Sequence, residues 1–267
     1  MLRKLIKYEF KATGRNILPL YGGLLILSVI LRIFHDNPNS LDGTFSRLAL
    51  MLSIFVYGFI MAAVFIATFF IIVQRYHKNL LGDEGYLMHT LPIMPYKNII
   101  SKLITSGVWS IVSCIIAVLS IFILFVDKNF INALFNFFLP NLKNAFNELG
   151  GIAYIIFLEM IILGLLELIQ FILKLYASIS LGHLFNNAKI LLSVVAFIAL
   201  CILEGFISSN FFIRLNDAMN IPSLVFMYDS LNNLSWLLIA CIVIKFIYSC
   251  VYFFITNYLL KNKLNLE

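Results

Sequence analysis

Apolar residues fall in six long runs separated by shorter polar stretches: 17–34, 48–73, 103–126, 152–173, 190–208 and 234–260. Each run is near or above the roughly 20 residues a helix needs to cross a bilayer, the first being the shortest. They are too long and unbroken for the roughly ten-residue alternation of barrel strands. Lipid offers backbone groups no partners, so the runs are predicted to be helical. The pattern predicts an all-α integral membrane protein with six transmembrane helices. Ahead of the first run, residues 2–13 are amphipathic: Leu2, Leu5, Ile6, Phe10 and Thr13 share one arc, and Arg3, Lys4, Lys7 and Lys11 the opposite one. Such a helix lies in a membrane interface with its basic face on the lipid headgroups. Gly14 and Pro19 are expected to turn the chain from this interfacial helix, residues 1–15, into the first span.

Composition sharpens the class. Of the 267 residues 62% are hydrophobic and 12% charged, and the mean hydropathy is +0.98. Soluble domains hold about twice that share of charge. A soluble enzyme, a disordered chain and a nucleic-acid-binding domain are excluded. The formal charge of +6 has a topological reading. Thirteen of the 19 Lys and Arg fall in the N-terminal segment, the second and fourth connections and the C-terminal tail, with Lys174 counted in the fourth connection. The excess of basic residues on one side predicts that both termini face the cytoplasm of a multi-pass protein in the cytoplasmic (inner) membrane. No small-x-small cleavage site follows the first run, so it reads as a retained signal anchor. Cys114, Cys201, Cys241 and Cys250 lie inside apolar runs without metal spacing and read as packing residues.

Several charges break the apolar pattern. Glu9 sits within the apolar arc of the N-terminal helix. A carboxylate in the lipid interface alone is costly, so Glu9 is expected to meet protein and pair with a cytoplasmic Lys or Arg. Glu159 and Glu167 lie in the fourth span, Glu204 near the outer end of the fifth, and Lys245 in the sixth. A mid-bilayer charge costs roughly 2.5–3.5 kcal/mol on an insertion scale and faces protein or water. Three readings stay open: internal pairing, such as Glu167 with Lys245; the lining of a path for a cationic amphipathic substrate; and a proton relay. The relay would make the chain an ion-coupled carrier, but no internal repeat of the kind such carriers often show is evident. His35, His77, His89 and His183 lie outside the runs with no i,i+4 pair. No catalytic or metal-ligating set is expected, and the chain is not read as an enzyme.

The second connection, QRYHKNLLGDEGYLMHTLPIMPYKNIISKL, encodes a short helix, a break and a rigid helix entry. Asp83 and Glu84 favour a helix start. Leu87, Met88 and Leu91 give an apolar edge, Pro92 ends the helix, and Pro95 can open the next. The segments GDEGYLMHTLP and PYKNIISKL resemble the cytoplasmic connection of ABC-2 type transporter permeases. LIKYEFKATGR is similar to that family's N-terminal elbow helix, and LYASISLGHLFNNAK to a recurring segment of it. Six spans with both ends inside match its small Gram-positive members. The resemblance implies the ABC-2 (type V) exporter transmembrane domain, paired with a second permease copy or a sibling.

It also implies a separate ABC ATPase subunit that carries ATP and Mg. This chain has no G-x-x-x-x-G-K-[ST] loop and no cofactor of its own. By the resemblance, residues 80–92 form a coupling helix in which Asp83, Glu84, Gly85, Tyr86, Leu87 and His89 contact the ATPase, with a second contact near residues 178–189. The apolar stretch 209–233, with Phe211, Phe212 and Phe226, becomes an extracellular re-entrant gate. The implied function is export of amphipathic or antimicrobial peptides along a path that includes Glu159, Glu167, Glu204 and Lys245. Drugs, lipids and sodium are alternative cargoes, and an ion-coupled carrier is the alternative mechanism. Membrane lipid is the other expected partner, and nucleic acid is not one.

Overall fold

A computed structural model describes residues 2–35, 44–82, 94–185, 188–219 and 230–262. Six long helices dominate: α1 (Leu2–His35), α2 (Thr44–Tyr76), α3 (Pro95–Phe125), α6 (Gly151–Gly182), α7 (Lys189–Met219) and α8 (Ser230–Asn262). A π-helical turn, His77–Leu81, extends α2. Between α3 and α6 the chain forms α4 (Lys128–Ala133), a second π-helical turn (Leu134–Phe138) and α5 (Leu139–Leu149). The apolar pattern of this third connection predicts no element. Pro140, in the first turn of α5, needs no intrahelical donor there.

All six long helices are apolar and long enough to cross a membrane. The protein is therefore an all-helical, multi-pass membrane protein. At 31–34 residues, each long helix runs roughly 46–51 Å, beyond the roughly 30 Å hydrocarbon layer. The helices consequently continue past the apolar runs at nearly every end.

The described residues form two compact units. The first joins residues 1–75 with 100–142. Its core is built around Ile17, Tyr21, Leu24, Tyr57, Val64 and Trp109. Hydroxyls on α3 bind the neighbouring helices: Ser113 pairs with Tyr21, and Ser120 with Tyr57 at 2.6 Å. Polar side chains of this kind join helices in lipid, where apolar burial gives no driving force. The second unit joins residues 76–99 with 143–267. In it α6 packs against both α8 and α7. A Cβ at Gly182 would overlap the hydroxyl and backbone of Ser193, so only glycine permits this approach of α6 to α7.

Two expected breaks are absent. The chain does not turn at Gly14 or Pro19, and α1 is continuous with Pro19 inside it. The reason is one buried stripe, Glu9, Thr13, Ile17, Tyr21, Leu24 and Ser28, whose steps of three and four residues carry a single helix through both positions. Gly14 serves close approach instead: its missing Cβ would stand 3.1 Å from the Trp109 ring. The elbow predicted over residues 1–15 is therefore the first part of α1, not a separate helix. Nor does the helix that carries the fifth run stop at 208, since α7 continues to Met219 with neither Gly nor Pro between Gly205 and Met219 to stop it. The stretch 209–219, assigned to a re-entrant gate, is the end of that helix.

Candidate functional site

Polar side chains gather at three places. The first centres on Glu9. Arg75, in the last turn of α2, places Nη2 2.9 Å and Nε 3.1 Å from Glu9 Oε2. Lys102, on α3, places Nζ 2.8 Å from Oε1 and also donates to the Arg75 carbonyl. The Lys102 side chain is only 3% exposed. One carboxylate thus joins α1 to α2 and α3, and the pairing expected of Glu9 is present. These contacts also hold the amphipathic N-terminal segment against α2 and α3, in line with the rest of α1.

Chain continuity gives the pairing added meaning. Arg75 is the last residue of the first unit before the segment 76–99, and Lys102 follows shortly after the chain returns at Ile100. Glu9 therefore holds the chain on both sides of the second connection.

The second place lies within the second unit, where the second connection meets the end of α6. Tyr76 and Tyr176 stack nearly parallel with ring centroids 4.0 Å apart, and both are buried. The Tyr76 hydroxyl lies 2.7 Å from that of Ser180. His77 and His183 face each other at 4.8 Å between centroids. Burial, then His77, then Lys189 push the His183 imidazole down to about 4. The packing of residues 76–77 on residues 176–183 joins the second and fourth connections, which the sequence marks only separately. The i,i+4 spacing of Tyr176 and Ser180 was an available signal. Asp83, Glu84, Gly85, Tyr86, Leu87 and His89 lie outside the described residues.

The third place is an ion network among α6, α7 and α8. Glu204 Oε2 accepts from Lys174 at 2.7 Å and from Tyr252 at 3.3 Å, and Oε1 accepts from Gln170 at 2.6 Å and Lys245 at 3.1 Å. Lys245 also donates to Glu167 Oε1 at 3.0 Å. The Glu167–Lys245 pair, the example given for internal pairing among the three readings, is present inside a larger network. Two placements are corrected. Lys174, assigned to the fourth connection, lies within α6, eight residues before its end at Gly182. Glu204, assigned near an outer end, is the midpoint of α7. The first error comes from ending the fourth run just before Lys174, the second from ending the fifth at the polar residues Ser208, Ser209 and Asn210. Gln170 and Tyr252 were not anticipated. On α6, Glu159, Gln170, Lys174 and Glu167 fall within an arc of roughly 80°, so their stripe was legible at 100° per residue.

Glu159 stands apart from the network. The Ser235 hydroxyl donates to Oε1 at 2.8 Å, and Oε2 is buried without a partner among the described residues. Phe211 and Phe212, at the end of α7, contact each other edge to face, and Phe226 lies outside the described residues. No group of three or more His, Cys, Asp or Glu suited to a metal ion occurs among the described residues. Comparison of the chain with family models, curated proteins and solved structures returns no match.

Proposed function

We propose that this chain is the permease subunit of an ATP-driven exporter of the ABC-2 type, paired with a second permease and served by a separate ATPase subunit in the cytoplasmic membrane. The observation that carries the reading is the hold of Glu9 on Arg75 and Lys102, either side of the second connection. Residues 83–91, following the π-helical turn, would receive the ATPase. Movement there would reach α2 and α3 through the chain and α1 through Glu9. It would also reach α6 through the Tyr76–Tyr176 stack. Long helices transmit such displacement because their internal bonding keeps them stiff. The chain's role is thus mechanical, with ATP and Mg held by the partner. The cargo class that fits an apolar, carboxylate-dotted helix cluster is an amphipathic peptide.

A rival reading, an ion-coupled carrier, draws on the network of Glu167, Glu204 and Lys245. One experiment separates the two. The chain is co-expressed with the ATPase encoded beside it, purified, and compared with a variant in which residues 83–91 are replaced by a Gly-Ser linker. The proposal expects the ATPase to co-purify with the wild type only, and peptide export to stop with a hydrolysis-dead ATPase. Transport by the chain alone in liposomes on an ion gradient would overturn it and establish the carrier.

A further inference from the structure

The ion network is uneven. Glu204 has four donors and an 11% exposed side chain, whereas Glu167 has Lys245 alone and is 55% exposed. Lys245 Nζ stands between them at 3.0 and 3.1 Å. Losing Glu167 would leave Lys245 on Glu204, still paired and partly buried. Losing Lys245 would leave Glu204 with three donors and Glu167 with none. Lys245 is therefore replaceable at Glu167 without stranding any buried charge.

The surroundings of Glu167 are open. It lies at the middle of α6, where a charge faces protein or water rather than lipid. Three residues before it, Gly164 leaves a gap, with no atom within 4 Å of where a Cβ would stand. Met160 and Phe171, seven residues before and four after, share that face and are exposed. A half-exposed carboxylate on an open face and flanked by a thioether and an aromatic ring suits a cation on an apolar carrier. The ring can favour the cation and the sulfur can pack the apolar part.

We propose that Glu167 docks the ammonium or guanidinium of a Lys- or Arg-bearing amphipathic peptide, and that Lys245 holds this place in the empty protein and withdraws onto Glu204 when the peptide arrives. The inference rests on the reading that the chain moves cargo along its own helices, and it names the contact that would select a cationic cargo. Glu167 is the binding residue, and Lys245 is a competitor built into the fold. Opposite effects of removing the two residues therefore distinguish this role from a merely structural ion pair.

The test uses the purified full chain in nanodiscs of phosphatidylcholine, which has no net charge to attract the probe. No ATPase or nucleotide is present, so the outcome does not depend on the exporter reading. The probe is a fluorescent amphipathic helical peptide bearing several lysines, compared with its fully Nε-acetylated form by fluorescence anisotropy. Wild type should bind the lysine form roughly tenfold or more tighter than the acetylated form, the scale of one charge-assisted hydrogen bond. Glu167→Gln should erase that preference, and Lys245→Met should increase it, because the competing ammonium is gone. Thermal melting of each variant checks folding. Equal binding of the two probe forms, or weakening by both substitutions alike, would overturn the inference. A Glu167→Gln variant that changes from two chains to one per particle would also overturn it, because the face would then be occupied by a second copy. Charge-selective binding without ATPase association would refute the exporter reading alone. ATPase coupling with charge-blind binding would refute only the docking role.

Discussion

Glu9 lies on the buried stripe of α1, where an unpaired carboxylate is expensive, and two cations meet it there. Glu9→Ala removes the carboxylate partner of Lys102, whose ammonium is buried, and breaking a buried pair from one side costs about 3–5 kcal/mol. The expected outcome is a clear drop in the unfolding midpoint in detergent, with Glu9→Gln losing less. The double variant Glu9→Gln/Lys102→Met should recover part of the loss, because the buried ammonium is gone and Arg75, whose side chain is 26% exposed, can still reach water. A midpoint unchanged in Glu9→Ala would mean the pair contributes nothing to stability. A carboxylate inside an apolar arc was legible from the sequence as a residue needing a cation. Which cations it meets was not, because Arg75 and Lys102 are 66 and 93 residues away along the chain. His183 carries a second residue-scale expectation. Burial, His77 and Lys189 hold it near 4 when folded, against 6.5 when unfolded. Between these values the unfolded chain binds the proton and the folded chain does not, so this site loses stability as pH falls from 6.5 toward 4 and adds no slope above about 7. Unfolding midpoints of wild type and His183→Gln, measured from neutral pH to near 4.5, should diverge on acidification, the wild type falling faster.

At the scale of elements, the helices were legible and their ends were not. Hydropathy marks the part of a helix that sits in lipid. The helix continues wherever its backbone bonds are satisfied and no residue stops it. Pro19 by itself predicts a turn, yet the stripe from Glu9 to Ser28 packs as one surface, and that packing outweighs the roughly 3 kcal/mol a proline costs inside a helix. Glycine gives the corresponding prediction for helix contacts. Gly182→Ala would set a Cβ against the Ser193 backbone, which cannot yield, and overpacking of this kind costs about 1–3 kcal/mol. Gly14→Ala meets only the edge of the Trp109 side chain at 3.1 Å, which can shift. Gly182→Ala should therefore lower the unfolding midpoint more than Gly14→Ala. The reverse order would mean that the α6–α7 approach is looser than the fold implies.

For the whole molecule, an even number of crossings puts both termini on one side of the membrane, and six candidate spans give that parity. The basic bias predicts that this side is the cytoplasm, and moving Lys174 into α6 leaves the bias intact. Single cysteines placed at Lys11, Lys78 and Lys261 in a cysteine-free background should react with an impermeant maleimide only after cells are opened, whereas one at Phe137, between α3 and α6, should react in intact cells. Labelling of Lys11 and Lys261 from opposite sides would require an odd number of crossings.

Composition, hydropathy and helical spacing by themselves determined that the chain is a helical membrane protein with six segments long and apolar enough to cross, because lipid forces backbone satisfaction within each helix and so makes each crossing a local property. They also marked Glu9, Glu167 and Lys245 as charges that require partners, since the cost of a bare charge in an apolar setting does not depend on the fold. Only the tertiary structure decided that Glu204 gathers Lys174, Gln170, Lys245 and Tyr252, and that Tyr76 meets Tyr176. Those contacts join separate helices, and which faces of separate helices meet is set by the packing of the whole rather than by any one segment.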